Sequence, residues 1–538
     1  MRALTGCGGG WMGGLVTPPE PSKESGYYVS GNYYFSLLLK GEELDVCFPL
    51  CSQSSLFCFR LRGFLDERDV EGETWFGYGR KDGSGVKVVV PPDRPGFLVE
   101  NGAERFPSSV GAYSKVFWEM AHEAFSMSVS WTDRPVYYCK LGSVYPAIAF
   151  LRYNSDVFVA VGDTPERAVL STVHLSRLGV ERVHSESEAW YSRFTSLGNG
   201  RLISNAMLAV FYSNSKCMDR GDGCIMASKS PKYYVAGGFW SRDFVFWTLP
   251  LLERVAPERV RELLQLLLTK YFGGRGVHAL YLDGRVLYDG FELDELAATI
   301  LSVSKALDYG VIDVGDARTY LDSILKDLSI RKAEGHHIYS TELNSSDDPA
   351  VYPYVTYDNV VLWYSLVKLA GSMGKEGRRI MDLASALRED VLENMVIRDE
   401  ERFCYSTDLK GNYESYDDPT GSLLLLPYFG FIEEDSQLYR NTVDWIKSKR
   451  NPYLVSGRYT GAGNRHVGHP WVHYYSSLLL SGDPEGLVLT EMELDRGLAC
   501  ETIDENTGRC LTGIHFPGSS GLMVYSILRY LGVLGVDA

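Results

Sequence analysis

The sequence contains few of the residue patterns that hold metals or cofactors. Its 10 cysteines are scattered, and no two of them form a Cys-x-x-Cys pair, so the usual spacing of a zinc site is missing. A glycine-rich phosphate loop, a dinucleotide-binding fingerprint and a serine-hydrolase signature are also missing. We therefore expect no metal, no cofactor and reduced thiols, with disulfides as the alternative in a thermophile.

Positive charge and long hydrophobic runs are also scarce. The chain carries 53 basic and 69 acidic residues, a formal net charge of −16, and such a surface repels nucleic acid and anionic lipid. No apolar run reaches the length of a membrane span. The first residues include no continuous apolar segment of a secretory signal. We expect no nucleic-acid partner, no membrane partner and a cytoplasmic location.

Aromatic residues, by contrast, are plentiful. The 35 Tyr and 10 Trp exceed what core packing usually requires, and their flat faces with polar edges are surfaces on which sugar rings stack. Aromatic-rich packing alone is the other explanation for this composition. The aromatic content therefore favours a neutral carbohydrate ligand only in combination with motifs.

The first third of the chain has the pattern of a β-sheet domain. Short alternating runs separated by turn signals predict strands at 27–39, 45–49, 56–61, 86–90, 125–131, 136–141 and 147–153. Many short strands at this spacing predict an antiparallel β-sandwich over residues 1–184. A helical linker is predicted over residues 185–198.

From residue 199 onward the hydrophobic period becomes helical. Helices are predicted at 201–213, 239–255, 257–271, 292–309, 313–328, 354–372, 375–394, 421–430, 438–448, 469–480 and 518–531. No repeat of fixed length indicates an open solenoid. We therefore predict helical hairpins closed into an all-α (α/α)6 toroid over residues 199–538. The fold by itself leaves the function open.

Four segments, taken in order, resemble one enzyme family. The first runs through Asp-Gly-Cys-Ile-Met-Ala-Ser at 222–228 to Gly-Phe-Trp-Ser-Arg-Asp at 238–243, and the second is Ser-Asp-Asp-Pro at 346–349. The third is Asp-Pro-Thr-Gly-Ser-Leu-Leu-Leu-Leu-Pro at 418–427, and the fourth is Cys-Glu-Thr-Ile-Asp-Glu-Asn-Thr-Gly at 500–508. Together they resemble the glucoamylase-type glycoside hydrolases, particularly the prokaryotic branch. The resemblance covers about residues 199–535 and implies an inverting glycosidase.

The resemblance also implies the positions of the two catalytic carboxyl groups. Inverting hydrolysis needs a protonated acid and an ionised base about 6.5–9.5 Å apart, which leaves room for a water molecule. The family's acid is a Glu, whereas the matching pair here is Asp347 and Asp348, and either of them can be the acid. Glu342 is the second choice, and Glu501 is the implied base. Ordinary surface or helix-end carboxylates are the alternative explanation.

Further residues match the sugar-binding positions of the family. Arg242 and Asp243 stand where the family binds the hydroxyl groups of the terminal sugar, and a structural ion pair is the alternative. Trp240 is expected to form a wall of the site and His469 to hydrogen-bond the substrate. The acidic run at 292–295 opens a predicted helix, and compensation of the helix dipole is the preferred explanation for it.

The function implied by the resemblance is exo-acting, metal-independent hydrolysis that releases glucose, with inversion, from the non-reducing ends of α-glucans. The expected partner is an oligosaccharide or polysaccharide substrate. Hydrolysis of another α-glycoside, such as trehalose or an α-mannoside, stays open, and so does a glycoside phosphorylase with the same two domain types. Because an Asp pair replaces the family's Glu, a non-catalytic glycan-binding toroid is a further alternative.

Overall fold

The computed structural model describes residues 192–216, 223–228, 230, 233 and 238–533, apart from the side chains of 211–212 and 214–216. Of the first 191 residues it describes the backbone of twelve strands. The chain divides into two compact units. The first comprises 1–238 with 281–283 and 515–517, and the second comprises the remainder. The helix at 200–213 belongs to the first of these units, and the predicted domain boundaries at 184/185 and 198/199 stay predictions.

The strands of the first unit pair in two antiparallel sheets of six. They are β1 (Gly14–Val16), β2 (Gly26–Ser30), β3 (Tyr34–Leu38), β4 (Glu43–Leu50), β5 (Ser55–Arg62), β6 (Thr74–Gly79), β7 (Gly85–Val90), β8 (Leu98–Gly102), β9 (Phe125–Met127), β10 (Val136–Lys140), β11 (Ala147–Tyr153) and β12 (Asp156–Gly162). The strand orders are β1-β4-β5-β6-β7-β8 and β2-β3-β12-β11-β10-β9. The strand predicted at 27–39 is the β2–β3 hairpin, and β1, β6, β8 and β12 were not predicted. Face-to-face packing of the sheets as a sandwich stays a prediction.

Ten α-helices lie within the described residues. They are α1 (Gly200–Ser213), α2 (Leu249–Val255), α3 (Pro257–Leu266), α4 (Leu293–Asp308), α5 (Val314–Arg331), α6 (Thr356–Ser372), α7 (Arg378–Asn394), α8 (Gln437–Ile446), α9 (Val472–Leu480) and α10 (Pro517–Tyr530). A π-helix at Asp243–Thr248 precedes α2. Ten of the eleven predicted helices are therefore confirmed. The helix predicted at 421–430 is wrong: only a 3-10 turn at Leu423–Leu425 forms.

The failed prediction has a local physical reason. Pro427 has no backbone N–H to continue a helical ladder, and Gly430 has a φ of +74°, in the left-handed region that ends helices. The leucines that suggested a helix are instead buried in the turn. The sequence pattern therefore predicts the burial of these leucines but not the conformation of their backbone.

Burial alternates between successive helices of the second unit. In α4 and α6 nearly every turn is buried on all sides. In α5 and α7 the buried residues form single stripes, Ala317-Leu321-Ile324-Leu328 and Ile380-Ala384-Leu387-Val391. A stripe at this spacing covers one face of a helix, whereas all-round burial places a helix in the interior. The pattern is that of inner and outer helices, as in hairpins of an (α/α) ring.

Local and tertiary signals set the starts of different helices. At α5, the Asp313 carboxylate accepts from the backbone N–H of Asp316, 2.9 Å away, within a capping box. The helical segment that starts at Ser241 is capped from another helix. There, Glu295 Oε2 accepts from the backbone N–H groups of Ser241 and Arg242, at 2.6 and 3.1 Å. This tertiary cap ties the segment that carries Arg242 to α4.

The expectation of reduced thiols needs a correction. Cys500 and Cys510 form a disulfide with a Cα–Cα distance of 5.9 Å, whereas Cys404 is a buried free thiol. The disulfide spans a short hairpin in which β13 (Thr502–Ile503) pairs with β14 (Cys510–Thr512). A Cys-x9-Cys spacing gives no sign of this pairing, because only the hairpin brings the two side chains together. Of the helices that the structure describes, none has both the length and the hydrophobicity needed to cross a bilayer.

Candidate active site

Arg242 is the centre of a buried cluster of acidic side chains. Its guanidinium, 2% exposed, contacts the Glu292 carboxylate through Nη1, which also lies 3.3 Å from Asp294 Oδ2. Its Nη2 donates to Asp347 Oδ1 at 2.8 Å. Glu292 and Asp294 are therefore ion-paired inside the protein at the start of α4, which corrects the preferred explanation that they compensate a helix dipole.

Asp347 lies at the exposed edge of this cluster. Its side chain is 34% exposed, and its backbone has a φ of +68°, which Asp tolerates better than most residues. His278 Nδ1 lies 3.7 Å from Asp347 Oδ1 and also contacts Glu292 Oε1. The Asp347 carboxylate is thus held by Arg242. His278 lies nearby and also contacts the Glu292 carboxylate.

Asp348 contacts a different residue. Its Oδ1 lies 3.3 Å from His466 Nδ1, and its Oδ2 is buried without a hydrogen-bond partner among the described residues. The two adjacent aspartates, which the sequence could not distinguish, therefore differ in environment. Asp347 joins the Arg242 cluster and Asp348 does not.

A buried carboxylate, Asp418, anchors the loop that carries both aspartates. Asp418 Oδ2 accepts from Ser346 Oγ at 2.5 Å and from Asn344 Nδ2 at 3.3 Å. Its Oδ1 accepts from Asn464 Nδ2 at 3.1 Å. One ionisable side chain thus ties together the loop at 344–348, the segment after Asp418 and the loop that contains His466, because it accepts from all of them.

Glu501 is held between two neighbouring segments. Its backbone N–H donates to Thr512 O at 3.1 Å, and its carbonyl accepts from the N–H of Val472 at 2.9 Å. Its side chain is buried against Gly513, where an added Cβ would lie 2.3 Å from Glu501 Cδ. Gly513 also has a φ of +56°. Glycine at this position is therefore what leaves room for the Glu501 carboxyl group.

Asp243 links Asp347 and Glu501 electrostatically. Burial raises the pKa of Asp243 well above its ordinary value, Arg242 opposes this, and the charges of Asp347 and Glu501 raise it further. The charges of Asp347 and Glu501 thus act on the same buried carboxyl group.

Burial and neighbouring charges shift the pKa values of several groups in the cluster upward. Burial raises the pKa of Glu292 to about 7, although Arg242 and His278 act against the rise. Burial likewise raises the pKa of Glu295 well above its ordinary value. Burial lowers the pKa of His278, but the hydrogen bond to Glu292 and the charge of Asp347 outweigh this and the net shift is upward. Perturbed groups with identifiable causes, gathered in one place, are typical of catalytic sites.

The remaining candidate residues divide into two groups. Trp240 is buried and meets His278 edge-on, with ring centroids 6.1 Å apart, so it lies in the cluster. Glu342 is half exposed and paired with Arg331 at 2.7 Å, and this hydrogen bond lowers its pKa, opposite to what a catalytic acid needs. His469 is exposed and lies 3.0 Å from Glu505. Neither Glu342 nor His469 contacts the Arg242 cluster among the hydrogen bonds and ion pairs described.

One group of side chains has the donor set of a metal site. His278, Glu292 and Asp347 present ligand atoms that all lie within 4.8 Å of one another. Arg242, however, donates to both carboxylates of this group. Its guanidinium supplies the positive charge that a cation would bring, and it would repel one. The residues therefore fit an ion-pair network better than a metal centre.

Sequence reasoning missed three contributors to the site. His278 lies on β15 (Val277–Tyr281), in a short apolar run that carries no signal of catalysis. Asp418 was recognised only as part of a motif, without a role. Gly513 follows the Glu501 motif. A glycine in that position is only a weak sequence signal, and the close approach of Gly513 to the Glu501 side chain is the reason for it.

The comparisons with known proteins place this geometry in context. Residues 331–481 match the family model of metal-independent alpha-mannosidases (GH125). That match includes Asp347 and Asp348 but neither Arg242 nor Glu501. The meiotically up-regulated gene 157 protein of Schizosaccharomyces pombe is 26% identical over 206 residues, which is 35% of this chain and 40% of the relative. The match thus spans about 40% of the length of this curated relative.

Two solved structures share the fold. A metal-independent alpha-mannosidase of Streptococcus pneumoniae, in a non-productive complex with alpha-1,6-mannobiose, has a TM-score of 0.52 at 15% identity, covering 64% of this chain and 98% of its own. A bacterial glucoamylase complexed with acarbose has a TM-score of 0.55 at 11% identity, covering 99% of this chain and 97% of its own. The helical part of the chain therefore fits the predicted (α/α)6 fold, which these glycoside hydrolases share. The resemblance to glucoamylase-type enzymes holds at the level of the fold.

Proposed function

We propose that this protein is an inverting, exo-acting α-mannoside hydrolase in which Asp347 is the general acid and Glu501 the general base. The observation that carries the proposal is the Arg242 cluster, which holds Asp347 at its exposed edge. The match to the mannosidase family model over the segment with Asp347 supports mannose as the sugar.

Asp347 would donate its proton to the glycosidic oxygen as the bond between C1 and that oxygen breaks. Arg242 then stabilises the carboxylate that remains, and the ion pair at 2.8 Å corresponds to this deprotonated state. Glu292 and His278 are positioned to return a proton, because His278 contacts Glu292 and lies 3.7 Å from Asp347. A pKa of Glu292 of about 7 keeps that proton available near neutrality.

Glu501 would take a proton from a water molecule as its oxygen attacks C1 from the face opposite the leaving group. The hydroxyl group at C1 then has the inverted configuration, and the released sugar is the β-anomer. Asp243 and Arg242 would bind the hydroxyl groups of the terminal sugar. The Asp243 carboxyl group accepts hydrogen bonds and the Arg242 guanidinium donates them, which matches the two functions of a sugar hydroxyl.

The test compares α-1,6-mannobiose with α-mannosyl fluoride, whose leaving group needs little protonation. We expect β-mannose from both substrates, and a loss of about 10³-fold or more in kcat with Glu501→Gln. Asp347→Asn should lose most activity on mannobiose but little on the fluoride, whereas Asp348→Asn should lose less than about tenfold on either. Release of no mannose from either substrate would refute the proposal. The opposite behaviour of the two Asp variants would transfer the acid role to Asp348.

Glucose release from α-glucan ends is the second candidate. It is favoured by the full-length similarity to the bacterial glucoamylase fold and by the position of Glu501 outside the segment that matches the mannosidases. Maltooligosaccharides tested in parallel would distinguish the two: β-glucose without mannose release changes the sugar but keeps the residue roles. Turnover that depends on added phosphate would instead indicate a phosphorylase.

A further inference from the structure

A solvent-exposed aromatic side chain packs beside His278, the histidine near the candidate acid. Strand β16 (Val286–Phe291) pairs with β15 and presents two large apolar side chains to solvent, Val286 at 49% and Tyr288 at 42% exposure. Tyr288 differs from Val286 in what lies behind it. Its ring centroid is 5.7 Å from that of His278 and 6.4 Å from that of Trp240.

The aromatic pair behind Tyr288 is buried and incompletely hydrogen-bonded. Trp240 meets His278 at an interplanar angle of 88°. The indole Nε1 of Trp240 is buried, and no hydrogen-bond acceptor for it lies among the described residues. A buried N–H without an acceptor costs free energy.

His278 connects this aromatic group to Asp347. The His278 ring lies against Tyr288, and its Nδ1 is 3.7 Å from Asp347 Oδ1. Trp240 and His278 are buried, whereas Tyr288 and Asp347 are partly exposed. The two accessible members of the group therefore flank the same buried histidine. A ligand that reaches Asp347 can also cover the Tyr288 face.

We propose that Tyr288, backed by Trp240 and His278, forms a subsite for the sugar ring on the leaving-group side of Asp347. This inference rests on the proposed function, because the acid that protonates a leaving oxygen must lie beside the leaving sugar. The C–H face of a pyranose stacks on an aromatic ring, and a rigid tyrosine offers that area at little entropic cost. The subsite would make the enzyme prefer a disaccharide or longer glycan over a glycoside with a small leaving group.

The experiment separates binding from turnover. In the Glu501→Gln background, calorimetry measures the Kd of α-1,6-mannobiose and of maltose with Tyr288→Ala, Tyr288→Phe and the matched control Val286→Ala. In the otherwise wild-type enzyme, kcat/KM is measured for mannobiose and for α-mannosyl fluoride, which has no second ring. We expect Tyr288→Ala to weaken disaccharide binding and kcat/KM about tenfold or more and to leave the fluoride unchanged. Tyr288→Phe should stay within about threefold and Val286→Ala unchanged.

Each outcome decides the question. An equal fall for disaccharide and fluoride would mean that Tyr288 only supports the fold, and it would overturn the subsite. No effect of Tyr288→Ala, or an equal effect of Val286→Ala, would also overturn it, as would the absence of any disaccharide binding. If the wild-type enzyme does not hydrolyse mannobiose but either disaccharide binds in a Tyr288-dependent way, the proposed function fails and the subsite stands.

Discussion

At the scale of single residues, the position of the Glu501 carboxyl group depends on the absence of one methyl group. A Cβ on Gly513 would lie 2.3 Å from Glu501 Cδ, far inside van der Waals contact, so Gly513→Ala must displace the carboxyl group. A shift of about 1 Å in a catalytic group can cost about 10²-fold in rate. We therefore expect Gly513→Ala to lower kcat about 100-fold, with a smaller change in KM, in steady-state assays on the preferred disaccharide.

The matched control is Gly374→Ala. Gly374 has a φ of +59°, close to the +56° of Gly513, but nothing lies within 4 Å of its added Cβ. Both variants carry the same backbone strain, of order 1 kcal/mol, so both should lower the melting temperature by a few degrees. If Gly374→Ala lowers kcat as much as Gly513→Ala does, the close approach to Glu501 is not the cause.

At the scale of an element, the hairpin of β13 and β14 is closed by the Cys500–Cys510 disulfide. The two cysteines are ten residues apart, and closing a loop of this length stabilises a fold by about 2–3 kcal/mol. Cys500 directly precedes Glu501, so the bond also restrains the segment that carries the proposed base. Cys510→Ser should therefore lower the melting temperature and reduce kcat about tenfold, with KM little changed.

Dithiothreitol and a second variant complete this test. The reductant should reproduce the loss in the wild-type enzyme and add nothing in Cys510→Ser. Cys404→Ser changes a buried free thiol and should lower stability without lowering kcat. Unchanged kcat in Cys510→Ser would show that the hairpin holds Glu501 without the disulfide.

At the scale of the whole molecule, buried histidine makes stability depend on pH. Burial, aided by the charge of Arg242, lowers the pKa of His473 to about 3, whereas in the unfolded chain it is about 6.5. Between these values the unfolded chain binds a proton that the folded chain does not. His473 should therefore cost about 2 kcal/mol of unfolding free energy between pH 7 and pH 5. Urea titrations at both pH values should show the loss in the wild-type protein and less of it in His473→Gln.

Glu292 acts in the opposite direction. Its pKa of about 7 lies above the value of 4.5 for an unperturbed Glu, so the folded state holds a proton that the unfolded chain releases. The stability that this provides is present below pH 4.5 and is lost as pH rises through about 7. His337→Gln, at an exposed histidine beside Asp390, is the control for His473→Gln. An equal change in pH dependence for both variants would exclude burial of His473 as the cause.

The sequence by itself determined the helical part of the molecule and the order of the segments that carry the candidate site residues. Hydrophobic stripes at 317–328 and 380–391 are local patterns, because one face of an outer helix must be apolar whatever it packs against. The segments with Arg242, Asp347, Asp348 and Glu501 were identifiable for the same reason, since each motif is contiguous. Pattern reading failed at the leucines before Pro427. Their hydrophobicity predicts a helix, but Pro427 lacks the backbone N–H that a helix needs.

Only the tertiary structure decided how those segments combine. By sequence alone Asp347 and Asp348 are equivalent candidates, and Arg242, 105 residues away, distinguishes them by pairing with Asp347. Glu292 and His278 became part of the site through contacts between a helix start and a strand. The Cys500–Cys510 bond and the close approach of Gly513 to Glu501 depend on a hairpin. Charge interactions, burial and steric contact act through space. They depend on which segments the fold brings together, so the order of residues along the chain does not reveal them.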